Sequence, residues 1–324
     1  MQYYQYLAAL FGLTLSLLTT GQPVQAQGQK PTSMEDFTYP FATQKVALSD
    51  SVAIAYADEG EGEQVLLFIH GLGSYLPAWK KNIEALSDNY RCIALDLPGY
   101  GKSSRGDYAF DMTFFATQVA AFIDQLSLKN VTLVGHSMGG QIAMTLALQH
   151  PEAVERLVLI APAGFETFTE QEVAWFKQIY TPAVVKATPV EQIERNFALN
   201  FHQANFPDDA RFMYEDRLLM RDTGEEYKAY CQMIPQCVQG MLAEPVYERL
   251  PEIEHPTLVL YGKGDLLIPN KILHQGLTTE KVAQSGHERL PHSTLQLLDA
   301  CGHFVQWECA GAVNEAITTF ITNE

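Results

Sequence analysis

Basic residues are scarce in this chain of 324 residues. It contains 21 Lys and Arg against 38 Asp and Glu, which gives a formal net charge of −17 at pH 7. Nucleic-acid binding requires a basic surface, and docking on anionic lipid requires charge of the same sign. The charge balance therefore argues against both kinds of partner, although it says nothing about the fold.

The apolar run near the start of the chain is too short to span a membrane. Residues 7–18 are uncharged, but a transmembrane helix needs about 20 apolar residues. Val24-Gln-Ala26 follows with small residues at a cleavable spacing, so residues 1–26 are predicted to be a secretory signal peptide. The absence of Lys and Arg before Lys30 departs from the usual pattern, and an uncleaved membrane anchor is the alternative.

Export follows from this interpretation of the leader. The mature chain is expected in the periplasm or outside the cell, without stable membrane insertion once the leader is removed. Because no cysteine follows the small residues, a lipoprotein anchor is not indicated.

Cysteine is rare, and its number is odd. The five cysteines are Cys92, Cys231, Cys237, Cys301 and Cys309. At least one thiol must therefore stay free or pair between chains. Export would permit disulfides, and Cys231/Cys237 and Cys301/Cys309 are the nearest pairs, but buried free thiols are an equally good interpretation. None of the spacings is typical of a metal site, and no metal ion is predicted.

From residue 45 the sequence alternates between predicted strands and helices. Helical spacing of apolar residues covers 76–87 and 114–126. Strands separated by helices predict an α/β fold with a mostly parallel sheet and helices on both faces. Runs rich in β-branched and apolar residues predict the strands, at 46–48, 51–56, 64–69, 90–95, 131–134, 156–160, 256–261 and 294–298.

The alternation stops between Phe165 and Glu252. No β-rich run occurs there, and prolines or Gly224 separate the segments of helical periodicity. We therefore predict an all-helical cap over 165–252, inserted into a core formed by 45–164 and 253–324, with 27–44 as a linker. The helical segments lie near 169–180, 190–201, 208–221 and 225–244.

Aromatic and Met side chains are frequent in the predicted cap. Such side chains line pockets for apolar ligands, although most of these are expected to form the core of the cap itself. They are Phe165, Phe168, Trp175, Phe176, Phe197, Phe201, Met213, Met220 and Met241.

Gly135-His-Ser-Met-Gly139 joins the predicted strand 131–134 to a predicted buried helix over 141–148. The segment fits the pattern G-x-S-x-G, in which the serine lies on a strained turn that exposes its hydroxyl at the top of the sheet. Flanking glycines remove side chains that would collide in so tight a turn. Many α/β proteins have a Gly/Ser turn between a strand and a helix, so the motif needs support from the rest of the chain.

Three further sites follow other predicted strands. His70-Gly-Leu-Gly73 offers backbone N–H groups, Gly262-Lys-Gly-Asp265 offers a carboxylate, and Gly302-His303 offers an imidazole. Because the carboxyl ends of parallel strands meet at one edge of the sheet, we expect these groups to gather there with Ser137. Their order is serine, acid, histidine. His70 is interpreted as a structural residue of its turn, and the histidines that do not follow a strand end are left as structural or surface residues.

These motifs together resemble the α/β-hydrolase superfamily, and in particular its capped serine hydrolases of lipase and carboxylesterase type. The resemblance covers about residues 45–322 and is specific for the superfamily rather than for a substrate. Epoxide hydrolases and haloalkane dehalogenases have an aspartate where this chain has Ser137, which argues against both. The matching segments are His70-Gly-Leu-Gly73, Asp96-Leu-Pro-Gly-Tyr-Gly-Lys-Ser103, Gly135-His-Ser-Met-Gly-Gly140, Tyr261-Gly-Lys-Gly-Asp265 and Gly302-His-Phe-Val-Gln-Trp307.

The resemblance implies a catalytic triad of Ser137, Asp265 and His303. It also implies an oxyanion hole formed by the backbone N–H groups of Leu72 and Met138. No metal ion or organic cofactor is needed for this chemistry. Glu166 follows the preceding strand and is the alternative triad acid; Asp299 is a weaker one.

The predicted reaction is hydrolysis of a carboxylic ester with an apolar acyl or aromatic group. The alternatives are a carbon–carbon bond hydrolase, a thioesterase or a perhydrolase of the same fold, and a non-catalytic protein that binds a ligand. The predicted partner is a small-molecule ester. The oligomeric state stays open.

Overall fold

The computed structural model describes residues 30–322, so the predicted leader over 1–26 lies outside the described part of the chain. Within that part, no helix combines the length and the apolar character that a membrane span requires.

Eight strands form one sheet in the order β1-β2-β4-β3-β5-β6-β7-β8. The β1–β2 and β2–β4 pairs are antiparallel, and the remaining pairs are parallel. The predicted mostly parallel sheet is confirmed. The strands are β1 (Gln44–Ala47), β2 (Ala53–Glu59), β3 (Val65–Ile69), β4 (Arg91–Leu95), β5 (Val131–His136), β6 (Arg156–Ile160), β7 (Thr257–Gly262) and β8 (Ser293–Leu298).

The central strands are buried throughout. Every residue of β3, β5 and β7 is buried, as expected for parallel strands that are covered by helices on both faces. Most side chains within these strands are apolar, and most of the polar side chains lie in the loops at the carboxyl ends of the strands. That edge of the sheet is therefore where chemistry is concentrated.

Helices follow most of the strands. The stretch predicted as one helix over 76–87 begins instead as a 3₁₀ turn, Leu76–Trp79, which contains Pro77. The helices are α1 (Lys80–Leu86), α2 (Met112–Gln125), α3 (Met138–Gln149), α4 (Glu170–Ile179), α5 (Pro182–Ala187), α6 (Val190–Ala198), α7 (Arg211–Met220), α8 (Glu225–Ala243), α9 (Thr279–His287), α10 (Val305–Glu308) and α11 (Ala310–Thr322).

Helices α4 to α8 occupy the segment between β6 and β7, and this described segment contains no strand. Capping residues mark where its helices begin: Thr169 accepts the N–H of Glu172, and Thr181 accepts the N–H of Val184. The predicted helical insertion is confirmed as part of the fold. Helix α5 was not predicted, because Pro182 suggested a break although proline is well accepted at the first position of a helix.

Residues 30–44 are the described part of the predicted 27–44 linker, and several of their side chains pack into the core. Met34, Phe37 and Tyr39 are buried in the core, and the Tyr39 hydroxyl donates to Asp96 Oδ2 over 2.9 Å. Before β1, this described segment contains only a short 3₁₀ turn, Met34–Asp36, which is too short to show the periodicity of a helix or a strand. These apolar side chains therefore gave no periodic signal, although they pack against the sheet.

Candidate active site

Ser137 lies on the turn between β5 and α3. Its backbone has φ 54° and ψ −118°, a conformation that costs energy for any residue with a side chain. The turn is tight, because a Cβ on Gly139 would lie 2.3 Å from the carbonyl oxygen of Ile69. Only glycine fits there, and the strained turn leaves Ser137 partly exposed between two buried elements.

The loop of residues 70–75, called here the oxyanion loop, packs against this turn. A Cβ on Gly71 would lie 3.0 Å from the Cβ of Ser137, so the loop backbone runs beside the serine. Residues 71–74 form a turn in which the N–H of Ser74 donates to the Gly71 carbonyl over 3.1 Å, with Gly73 at φ 68°. This turn brings the backbone of Leu72 close to the nucleophile.

Two backbone donors remain available beside Ser137. Among the described residues, neither the N–H of Leu72 nor that of Met138 donates to another backbone or side-chain group. Met138 is the first residue of α3, so the positive end of the helix dipole adds to its N–H. These two N–H groups are the donors that the resemblance assigns to an oxyanion hole.

His70 has a structural role in the oxyanion loop. Its Nε2 accepts the N–H of Leu97 over 3.1 Å, and its Nδ1 donates to the carbonyl of Gly71 over 2.9 Å. Burial lowers the pKa of His70, so the ring stays neutral while it ties this loop to the segment after β4.

Asp265 and His303 are directly bonded. His303 Nδ1 lies 2.8 Å from Asp265 Oδ2, and both side chains are buried. The other oxygen of the carboxylate accepts the backbone N–H groups of Leu267 and Ile268 over 2.8 and 2.9 Å. With both oxygens bonded, the carboxylate keeps one orientation and holds the imidazole with Nε2 directed away from it.

A covalent bond stabilises the loop that carries His303. A disulfide joins Cys301 to Cys309, with their Cα atoms 6.1 Å apart. Cys92, Cys231 and Cys237 are buried free thiols, which resolves the alternatives left open by the sequence. The disulfide closes a short loop around His303.

Glu308 fastens the same loop to the cap. Its carboxylate accepts the backbone N–H of Gly302 over 2.6 Å and that of His202, in the cap, over 3.0 Å. The sequence showed no signal for this role, because an isolated glutamate in a helical segment resembles any surface residue.

His136 links the nucleophile strand to His303. Its Nε2 donates to the His303 carbonyl over 3.0 Å, and the two ring centroids lie 4.8 Å apart. Burial lowers the pKa of His136 well below its ordinary value, so the ring stays neutral beside His303. Since His136 precedes Ser137 directly, this contact joins the loop of His303 to the turn that carries the serine. Its position inside the motif was the signal that could have indicated the role.

The alternative acids lie elsewhere. Glu166 accepts from His274 Nδ1, and it also accepts the N–H of Asn270 over 2.8 Å. The second ring nitrogen of His274 lies 3.1 Å from Glu172 on α4. Asp299 is exposed and forms a 2.7 Å ion pair with Lys263. Neither acid contacts His303, whereas Asp265 does.

A cavity of about 490 Å³ lies beside the Glu166–His274 pair. Phe165, Tyr247 and Ser285 are among the residues that line it, and no member of the Ser137, Asp265 and His303 group does. The cavity is therefore separate from the nucleophile.

The cap aromatics divide into two groups. Phe165, Phe201, Met213 and Met220 are buried and form core. The others are partly exposed, and Phe168 stacks on His274 with ring centroids 5.3 Å apart. Nearer the nucleophile, the side chains of Tyr230 and Ile234 on α8 pack against Gly73 of the oxyanion loop. The guanidinium of Arg217 also lies against Gly73, so the cap presents both polar and apolar groups to that loop.

Comparison with known proteins places this geometry in a family. The family model described as alpha/beta hydrolase fold matches residues 64–310. A dihydrolipoyllysine-residue acetyltransferase component of an acetoin cleaving system, from Cupriavidus necator, is 29% identical over 270 residues, which are 82% of this chain. The match spans only 65% of that longer relative.

Two other similar proteins are hydrolases. A 2-hydroxy-6-oxononadienedioate/2-hydroxy-6-oxononatrienedioate hydrolase from Burkholderia vietnamiensis is 29% identical over 83% of this chain and 90% of its own length. The crystal structure of a membrane phospholipase A has a TM-score of 0.68 and 27% identity, covering 87% of this chain and 86% of the phospholipase.

Proposed function

Because the chain belongs to the α/β-hydrolase fold family, we propose that it is a serine hydrolase that cleaves a carboxylic ester through an acyl-enzyme on Ser137. The observation that carries the proposal is the 2.8 Å bond between His303 Nδ1 and Asp265 Oδ2. With its proton held on Nδ1, the imidazole presents the lone pair of Nε2 to the serine hydroxyl.

Acylation begins when Ser137 Oγ attacks the ester carbonyl carbon and passes its proton to His303 Nε2. Asp265 stabilises the imidazolium that forms. The carbonyl oxygen becomes an oxyanion, which accepts hydrogen bonds from the N–H groups of Leu72 and Met138. Each such donor is worth roughly 3–4 kcal/mol in the transition state.

Collapse of the tetrahedral intermediate expels the alcohol, which takes the proton from His303. Water then attacks the acyl-enzyme, with His303 again as the base, and releases the acid and the free serine. Every step uses side chains and backbone groups of this chain together with the substrate and water.

We place the substrate among esters with an apolar acyl or aromatic group. The side chain of Ile234 in the cap lies against the oxyanion loop, where a bound acyl chain would contact it. A similar structure is titled a membrane phospholipase A, which supports an ester as the substrate.

A panel of p-nitrophenyl esters with increasing acyl length tests the proposal, with thioesters and amides of the same acyl groups as comparison. We expect turnover that is highest on the esters. Failure to hydrolyse any of them, together with no labelling of Ser137 by a fluorophosphonate, would overturn the proposal and leave a ligand-binding protein.

Carbon–carbon bond hydrolysis is the second candidate, because a relative at 29% identity is named for that reaction. A 2-hydroxy-6-oxo dienoic acid, whose absorbance falls on cleavage, belongs in the same panel. A higher kcat/KM on that acid than on every ester would replace the ester proposal with this one.

We also propose export, with removal of residues 1–26. The disulfide between Cys301 and Cys309 supports this proposal, since disulfides persist in oxidising compartments. Sequencing of the N-terminus of protein from the exported fraction should find Gln27 first. Recovery of intact Met1 in a membrane fraction would indicate an anchor instead.

A further inference from the structure

Helix α7 of the cap brings two consecutive side chains onto the oxyanion loop. Asp216 Oδ2 accepts the hydroxyl of Tyr75 over 2.6 Å, and the guanidinium of Arg217 donates through Nη2 to the carbonyl oxygen of Gly73. The two contacts hold the loop on either side of Ser74. They lie immediately after Leu72, the proposed oxyanion donor.

Arg217 donates to Gly73 without a carboxylate partner of its own. Among residues 30–322, no Asp or Glu oxygen lies within 4.0 Å of its guanidinium nitrogens, and its charged group stacks over the ring of Tyr230 at 4.0 Å. Burial lowers the pKa of Arg217 to about 10, which still leaves it a cation at neutral pH. A charged donor is therefore directed at a neutral backbone carbonyl, a stronger bond than an uncharged donor would make.

Asp216 forms the second contact with the loop, through the hydroxyl of Tyr75. Burial raises the pKa of Tyr75 well above its ordinary value, so the phenol keeps its proton and donates it to the carboxylate. The Tyr75 ring is further fixed by an edge contact with Tyr39, with centroids 5.5 Å apart. The bond thus joins the cap to a ring that is anchored in the core.

We propose that Asp216 and Arg217 are positioning residues that hold the oxyanion loop in its active geometry, so that docking of the cap completes the oxyanion hole. This inference rests on the proposed function, because Leu72 has to act as an oxyanion donor. A donor is effective only within 2.7–3.1 Å of the developing oxyanion. Residues 71–74 form one hydrogen-bonded turn, and movement of the Gly73 carbonyl therefore displaces the N–H of Leu72.

The kinetic consequence is a loss of transition-state stabilisation rather than of substrate affinity. An interaction that matters only when the oxyanion forms lowers kcat and kcat/KM equally, whereas a substrate contact made in the ground state changes KM. A direct substrate role for Arg217 is thereby distinguishable from the positioning role.

The test replaces Arg217 with Met, which keeps an unbranched side chain beside Tyr230 and removes the donor. We expect kcat to fall at least about tenfold on a p-nitrophenyl ester, with KM changed less than about twofold. Inhibition by a boronic acid, which forms a tetrahedral adduct on the serine, should weaken in parallel. Arg217→Lys keeps a charged donor and should recover part of kcat.

Arg221→Met is the matched control. Arg221 follows α7 by one residue and lies 5.9 Å from the centre of the Tyr227 ring, so the variant removes a comparable guanidinium–tyrosine contact away from the loop. Wild-type kcat and KM are expected for it. An equal loss of kcat in both variants would show a general effect on the cap and would overturn the positioning role.

Hydrogen exchange of the peptide covering residues 70–76 gives a second readout that needs no substrate. Arg217→Met should exchange faster there than wild type, with unchanged exchange in β5. If that variant does not fold, Tyr75→Phe removes the donor of the second contact, and Asp216→Leu removes its acceptor in a side chain of similar size. Their effects on exchange should be similar to one another and should not add in the double variant.

The outcomes separate the two proposals. A wild-type protein that turns over no substrate overturns the proposed function, and with it the catalytic role of this pair. An active wild type whose Arg217→Met variant keeps kcat and the exchange rate of residues 70–76 overturns the positioning role alone. A rise in KM with unchanged kcat also overturns it and makes Arg217 a substrate contact.

Discussion

The imidazole of His303 and the carboxylate of Asp265 are joined by a 2.8 Å hydrogen bond inside the protein, and the second carboxylate oxygen is held by two backbone N–H groups. An amide in place of this carboxylate keeps the size of the side chain but offers an N–H where the imidazole N–H must donate. The imidazole would then favour the wrong tautomer, with its proton on Nε2 facing the serine.

Asp265→Asn should therefore lower kcat on a soluble ester by at least about 10²-fold, since the same change costs about 10⁴-fold in a well-studied triad. Glu166→Gln should change kcat little, because Glu166 pairs with His274. The two variants are compared under the same conditions, with thermal melts as the check on folding. Loss of activity in Glu166→Gln and retention in Asp265→Asn would exchange the roles.

Ser137→Ala should abolish ester hydrolysis without loss of the fold. The serine sits at φ 54°, where its side chain is partly exposed and contributes little packing. Circular dichroism and turnover are measured on the same sample, and a fluorophosphonate should label wild type at Ser137 and leave the variant unlabelled. Activity at the wild-type level in a folded variant would exclude Ser137 as the nucleophile.

Glu166 should make stability depend on pH with a defined sign. Burial raises its pKa, so the folded protein holds this proton more tightly than the unfolded chain. The contribution to stability is complete below the unfolded pKa and is lost as pH rises through the higher folded value. The Tm of Glu166→Gln relative to wild type should therefore increase from about pH 4 to pH 7.

Glu172→Gln is the control for this measurement. Glu172 also bonds to His274, but its pKa is shifted in the opposite direction from that of Glu166. The backbone N–H of Thr169 lowers the pKa of Glu172, so its stabilisation is present above the unfolded pKa and is lost as pH falls. Its Tm relative to wild type should decrease over the same range. The same slope in both variants would contradict the assignment of burial as the cause for Glu166.

Cys301→Ser and Cys309→Ser should each remove the same covalent link. For so short a closed loop the expected loss is about 2–3 kcal/mol in the free energy of unfolding. Denaturant unfolding measures this loss, and wild type treated with a reductant should match the variants. The double variant should be no less stable than either single one, and a clearly larger loss would indicate that the thiols stabilise the fold separately.

The positions of the proposed triad residues were predictable because parallel strands end at a common edge. To predict that the three residues after β5, β7 and β8 lie near one another, only the order of the strands along the chain was needed. The Asp265–His303 contact agrees with that reasoning. The spatial order of the strands was not predictable, since β4 lies between β2 and β3 although it follows β3 in sequence. Pairing of strands depends on long-range packing that local patterns do not record.

The contacts of the cap were also not predictable from local sequence patterns. The periodicity of α7 and α8 predicted helices, but no local pattern indicated that Asp216 bonds to Tyr75 or that Glu308 bonds to both His202 and Gly302. His274 lies in an irregular segment before α9, a helix that was not predicted, and its pairing with Glu166 depends on how that segment folds back.

The helical insertion lies between β6 and β7, and this position determines when the proposed site can form during biosynthesis. Ser137 is made before the insertion, while Asp265 and His303 are made after it. Pairing of β5 with β6 closes a short loop, but pairing of β7 with β6 requires closure of the loop 161–256, at a higher entropic cost. Under the proposed assignment, Ser137 of a nascent chain is therefore an ordinary alcohol, and it becomes a nucleophile only when the last two strands have docked.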